Sequence, residues 1–131
     1  MAERLLAVAQ RAYTALLDGD LDAFLTTVDP DVEFTSLIAE AEGQTFRGHE
    51  GVRSWWQEVV GSLGGLRLEP EEFREIGDAV LVHLEARGTV SGLPIAQTIW
   101  QAIHVRDGKA VWWAGFRTEE EALRAIEART A

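Results

Sequence analysis

No cysteine occurs in the 131 residues. That excludes a disulfide framework, a thiol nucleophile and a thiolate metal site, and it leaves a reducing compartment acceptable. No apolar run approaches the roughly 20 residues that a membrane-spanning helix needs. Met1-Ala2-Glu3-Arg4-Leu5 sets charges inside an amphipathic pattern with no apolar core behind it, so no signal peptide is expected and the expected location is the cytoplasm. Positive charge is scarce as well. Twelve Lys and Arg stand against 22 Asp and Glu, a formal net charge of −10. Phosphate neutralisation by Lys and Arg dominates nucleic-acid binding, so neither a nucleic acid nor a membrane is an expected partner. Repeats, linkers and low-complexity stretches are also missing, and residues 1–131 are expected to form a single domain.

Apolar residues make up 47% of the chain, and five of them are tryptophans. Leu5, Val8, Ala9, Ala12 and Leu16, widened by Leu6, Tyr13 and Leu17, recur at helical spacing and predict a helix over 3–17. Gly19 suits its left-handed end, and Asp20 suits the cap of a second helix over 21–28, closed by Asp29-Pro30. From Val32 the period becomes two, with Val32, Phe34, Ser36 and Ile38 on one side, which is a strand. Residues 40–48 read as a loop. A third helix is expected from His49 or Glu50 to Leu63, where Gly64-Gly65 breaks it. Strands then follow over 66–76, 79–90, 95–106 and 109–117. They are separated by Gly77-Asp78, by Ser91-Gly92-Leu93-Pro94 and by the hairpin signal Asp107-Gly108. Thr118-Glu119-Glu120-Glu121 is a capping box that opens a terminal helix of about ten residues. Helices at one end and hairpin-linked strands at the other predict an α+β fold whose mostly antiparallel sheet buries one face under the helices.

Alternation assigns the faces. Val80, Val82, Leu84, Ala86 and Gly88 point toward the helices, and Leu81, His83, Glu85, Arg87 and Thr89 point away. On the next strand Ile95, Gln97, Ile99, Gln101, Ile103 and Val105 point inward, and Ala96, Thr98, Trp100, Ala102, His104 and Arg106 outward. Phe34, Ser36, Trp113 and Gly115 then face the interior, with Phe116 near its mouth and Tyr13 at its flank. Buried amides need partners, because an unsatisfied polar group costs about 1–3 kcal/mol. Gln97 and Gln101 are therefore either satisfied internally or aimed at a ligand. Trp55 and Trp56 face different ways, one under the sheet and one toward the pocket or its rim. Trp100 and Trp112 fall on the outer face, where large aromatics mark a contact. His83 and His104 do not cluster with carboxylates at ligand spacing, so no metal site is expected. His49, at the start of the third helix, is the candidate for a titrating group at the pocket rim.

Three runs carry a resemblance: Leu17-Asp18-Gly19-Asp20-Leu21-Asp22-Ala23-Phe24, then Asp31-Val32-Glu33-Phe34, then Phe46-Arg47-Gly48-His49-Glu50-Gly51-Val52. With Arg106-Asp107-Gly108-Lys109 and Glu120-Glu121-Ala122-Leu123, they make the chain resemble the SnoaL-like group of the NTF2-like superfamily over nearly its whole length. The resemblance implies a cone-shaped α+β fold, a curved mixed or antiparallel sheet packed on N-terminal helices around a central pocket. It also implies a homodimer through the back of the sheet. It leaves function open, since the fold hosts isomerases, epoxide hydrolases, cyclases, dehydratases and binding modules. The ketosteroid isomerase set would fall on Ser36, Ala12 and Gln101, and Tyr13 is one residue, roughly 100°, away from the tyrosine position. Serine is not a base near neutrality without a partner. The Arg and Asp set of the epoxide hydrolases finds only Glu85 and Arg87, on the outward face. No inward Asp or His is found for a cyclase. The expected function is a binding domain for a hydrophobic small molecule, held by Tyr13, Phe34, Trp55, Trp56, Val82, Leu84, Gln101, Trp113 and Phe116, with no cofactor. The alternative is an enzyme acting on a polyketide- or terpenoid-like substrate by an unassigned acid–base mechanism, with His49 as its candidate and Glu40 and Glu42 near the mouth.

Overall fold

The computed structural model describes residues 5–35, 45–57, 67–90 and 92–130. Helix α1 spans Leu5–Leu17 and α2 spans Leu21–Leu25. Strand β1 spans Val28–Thr35, β2 Thr45–Arg47, and helix α3 Gly48–Trp55. Strands β3 Arg67–Ile76, β4 Ala79–Val90, β5 Leu93–Arg106 and β6 Lys109–Phe116 follow, then helix α4 Glu119–Thr130. The strands form one sheet in the order β2-β1-β6-β5-β4-β3. All neighbours are antiparallel except β1 and β6. The sheet is therefore mixed, with a parallel pair that the hairpin signals alone do not announce. Register shifts in β3, between β5 and β6, and in β1 bend the strands, and the open sheet curves around α1.

Several boundaries move for local reasons. α2 ends at Leu25, three residues short of the sequence reading. The hydroxyls of Thr26 and Thr27 donate to the carbonyls of Ala23 and Phe24 at 2.6 Å, closing the helix before Asp29-Pro30 is reached. Pro30 lies inside β1, within the irregular stretch between Val28 and Glu33, where a missing N–H breaks no ladder bond. β2 lies in the stretch read as a loop, and Phe46 pairs with Phe34. The turn before β5 shrinks, since Pro94 and Leu93 already pair with Thr89 and Val90. Leu17 is 54% exposed and does not widen the α1 stripe. The expected continuation of α3 over 58–63 lies outside the described residues, as do Ser36, Glu40 and Glu42.

The run Phe46-Arg47-Gly48-His49-Glu50-Gly51 has a steric basis. Gly48 adopts φ +68, and a Cβ there would stand 2.8 Å from the Pro30 carbonyl oxygen. A Cβ on Gly51 would come within 2.9 Å of the Phe46 backbone. Glycine at both positions lets α3 start flush against β1 and β2. His49 secures the same corner, its Nε2–H donating to the Val28 carbonyl at 2.9 Å.

Two apolar clusters occupy the two faces of the sheet. The larger lies under α1, α2 and α3 and contains Val80, Val82, Leu84, Ala86, Ile99, Ile103, Val105 and Trp113, as alternation predicts. The smaller is on the outer face and joins Ala79, Leu81, Ala102, Trp112 and Ala114 to Ala122 and Ile126 of α4. Leu81 was expected to meet solvent or a second subunit; it is 2% exposed because the chain's own last helix covers it. The capping box forms, with Glu121 N–H donating to Thr118 Oγ1 at 3.1 Å. Arg74 of β3 holds Glu119 at 2.5 Å, and Arg129 lies 4.7 Å over the Trp112 ring. Ile126 is 3% exposed, so Ile126→Ala should lower the unfolding free energy by about 2–5 kcal/mol. Urea titration followed by tryptophan emission checks this, and an unchanged midpoint would mean that α4 is not docked.

Candidate functional site

Chemistry-bearing side chains gather on the inner face, around Trp113. β6 pairs with β1 at Phe34↔Trp113 and with β5 at Ile103↔Trp113, which aims the indole at the helices. Its ring centroid lies 5.5 Å from Tyr13 of α1, 5.5 Å from Phe24 of α2 and 5.6 Å from Phe34. Phe34 in turn meets Trp55 at 4.7 Å, Phe24 meets Trp56 at 5.5 Å, and Tyr13 meets Phe73 of β3 edge-on at 5.6 Å. Tilted and edge-on rings at these separations add about 0.5–1.5 kcal/mol per pair beyond area burial. Val82 and Leu84 form the fully buried floor on β4.

One polar group sits in this aromatic set. Gln101 faces inward from β5 and is 8% exposed. The Trp113 indole N–H donates to its Oε1 at 2.9 Å, and the Tyr13 hydroxyl donates to the same oxygen. Burial raises the Tyr13 pKa well above the ordinary value, so the phenol stays neutral and remains a donor. The amide oxygen is thus satisfied internally, as one of the two sequence readings had it.

Seven of the expected site residues, Tyr13, Phe34, Trp55, Val82, Leu84, Gln101 and Trp113, therefore meet in one interior cluster. Trp56 is half-buried and packs against that cluster through Phe24. Phe116 does not join them. It pairs with Trp100 across β5 and β6 and lies 6.4 Å from Trp112, which puts it on the outer face. Regular alternation from Trp113 and Gly115, which pair with the inward Ile103 and Gln101, places it there. Phe24 and Phe73 were not singled out from the sequence, although Phe73 pairs with Val82 and so shares the inward face of β4. A separate surface groove of about 400 Å³ lies between α1 and α2, lined by Gln10, Arg11, Thr14, Asp18, Asp20 and Thr26. Its lining includes none of the aromatic set.

The histidines have assigned neighbours. His49 is tied to Val28 as above. His83 stacks on Trp100 at 4.4 Å and reaches Glu85 at 3.3 Å, while Thr98 donates to Glu85 at 3.0 Å. Glu85 and Arg87 lie on the outer face, Arg87 pairing with Glu69 at 3.8 Å. Among the described residues no group of three or more His, Cys, Asp or Glu is arranged to hold a metal ion. No described helix is long and apolar enough to cross a membrane.

Residues 9–113 match the family profile of the SnoaL-like domain. The chain belongs to the SnoaL-like family. α4, which covers the apolar part of the outer sheet face, lies beyond the matched span. Among solved structures the SnoaL-like chain is similar to TerC co-crystallised with polyporic acid, at 28% identity and a TM-score of 0.72, with 93% of this chain and 97% of that one covered. It is similar to an NTF2-like protein of unknown function from Burkholderia pseudomallei, at 26% identity and a TM-score of 0.76, covering 92% and 95%. A putative polyketide cyclase from Sinorhizobium meliloti shares the fold at 22% identity and a TM-score of 0.70, covering 84% and 94%. No curated protein sequence matches the chain.

His104, 8% exposed beneath α4, gives the SnoaL-like domain a pH dependence. Its pKa is lowered, first by burial and then by Arg129 and Arg106, with Asp78 opposing. A histidine whose folded pKa is depressed contributes stability that is fully present above its unfolded value of about 6.5, and that is lost as pH falls through the folded value. Urea midpoints should therefore drop between about pH 7.5 and about pH 5. His104→Gln should flatten part of that slope, and an unchanged slope in the variant would contradict the assignment.

Proposed function

We propose that this SnoaL-like domain binds a hydrophobic small molecule against the inner face of its sheet. The observation that carries the reading is the packing of Tyr13, Phe24 and Phe34, with Trp55 and Trp56 behind them, around Trp113, whose indole N–H meets the Tyr13 hydroxyl on the Gln101 amide. Binding sites for small molecules are mostly apolar and aromatic, with few well-placed polar groups. Trp56, half-buried at the end of α3, is the approach side of the proposed pocket. The similarity to TerC, solved with polyporic acid, supports a small organic ligand.

The enzyme reading leans on His49, whose Nε2–H is already given to the Val28 carbonyl. Binding without turnover is accordingly the reading adopted. The measurement is thermal unfolding with a panel of hydrophobic small molecules that includes polyporic acid. A ligand at about a hundredfold excess over its Kd should add about 2.7 kcal/mol, and Trp56→Ala should weaken that gain. A panel without a single stabilising compound removes the reading, and turnover lost in His49→Ala would replace it with the enzyme.

We further propose a homodimer through the part of the outer face that α4 leaves open, around Trp100, Thr98 and the stacked His83. Trp112 drops out of that contact, because Ile126 and Arg129 already cover it. Sizing on dilution through the micromolar range should report a dimer, and Trp100→Glu should yield a monomer. A wild-type monomer at micromolar concentration ends the proposal.

A further inference from the structure

We propose that Gln101 reads the polarity of the ligand. The amide offers the pocket hydrogen-bond donors alone, so the molecule held there presents a hydrogen-bond acceptor at that point, a carbonyl oxygen or its equivalent. This rests on the binding reading above and adds a chemical requirement to it.

The orientation of the amide is set by its neighbours. An indole N–H donates and has nothing to accept with, so the Gln101 atom 2.9 Å from Trp113 Nε1 is the oxygen. The Tyr13 hydroxyl converges on that same oxygen and donates to it. Both lone pairs of Oε1 are then occupied. The amide nitrogen points away from the two aromatic donors with two N–H groups, and among the described residues no side chain or carbonyl accepts from them.

Every described side-chain nitrogen or oxygen that is fully shut off from solvent has a hydrogen-bond partner. The Gln101 amide nitrogen has no acceptor among the described residues, although the residue is only 8% exposed. The strand pairing gives its neighbours. Across β6 the residue opposite Gln101 is Gly115, which carries no side chain. Across β4 the partner is Val82, apolar and fully buried. A polar donor pair framed by valine, glycine and aromatic rings favours an acceptor carried on an apolar body. Covering it with hydrocarbon leaves the donors unmet, a loss on the order of tenfold in affinity.

Matched pairs test this, with a carbonyl exchanged for a methylene of the same planar shape: acetophenone against α-methylstyrene, and 2-acetylnaphthalene against 2-isopropenylnaphthalene. Kd values for the wild-type chain should favour each ketone by on the order of tenfold. The Gln101 side-chain amide protons should shift in nitrogen-correlated NMR spectra with the ketones and not with the alkenes. Gln101→Leu should bind both members of a pair alike. If that variant does not fold, the wild-type ratio and the amide shifts decide. Equal or inverted affinities overturn the polarity requirement and leave hydrophobic binding standing. Failure of all four compounds to bind overturns both.

Discussion

An indole N–H carried into an apolar interior has to be given an acceptor, and the inner side of this domain depends on how Trp113 meets that requirement. Left unmet it would cost about 1–3 kcal/mol. Gln101, one strand away on β5, supplies the oxygen, and Tyr13 of α1 donates to the same atom. Three elements distant in sequence are thereby fixed together at one point. The aromatic rings then pack outward from it: Phe24 and Phe34 on Trp113, Trp56 on Phe24, Trp55 on Phe34, Phe73 on Tyr13. Because the amide oxygen is committed to this bonding, the nitrogen end is left as the donor, and the polarity of the proposed pocket would follow from how the core is held.

The two faces of the sheet solve different problems. The inner face buries its apolar side chains under α1, α2 and α3, with the Gln101 amide among them. The outer face has an apolar half and a polar half. α4 covers the apolar half through Ala122 and Ile126, anchored by Arg74 on Glu119 and by Arg129 over Trp112. The polar half carries His83, Glu85, Thr98 and Arg87, with Trp100 at the boundary. A second subunit would have only that half to meet, which makes the proposed dimer contact smaller and more polar than a fully bare sheet would give.

Much of the fold was legible from period and punctuation. The inward residues of β4 and β5 follow from alternation, and α4 follows from its capping box. What was not legible depended on partners far away in the chain. A parallel β1–β6 pair leaves no local sign, and neither does a three-residue β2 that exists because Phe46 pairs with Phe34. α2 lost its last turn to threonine hydroxyls competing for backbone carbonyls, a contest that a Pro30-based boundary overlooks. At the site, Tyr13, Gln101 and Trp113 were identifiable as inward polar-capable residues, but their convergence on one oxygen was not. Phe116 was expected near the mouth of the interior, but regular alternation with Trp113 and Gly115 turns it outward, opposite Trp100. The covering of Trp112 by α4 likewise needed the docked position of a helix whose own sequence is strongly charged.

Hydrogen exchange at the Trp113 indole nitrogen tests most directly whether Gln101 and Trp113 organise the interior. The bond predicts slow exchange in the wild-type chain, in step with the core amides of β5 and β6, and acceleration in Gln101→Leu well beyond any change in those core amides. An indole N–H that exchanges as fast as the one on half-buried Trp56, or one that is unaffected by loss of Gln101, would contradict it.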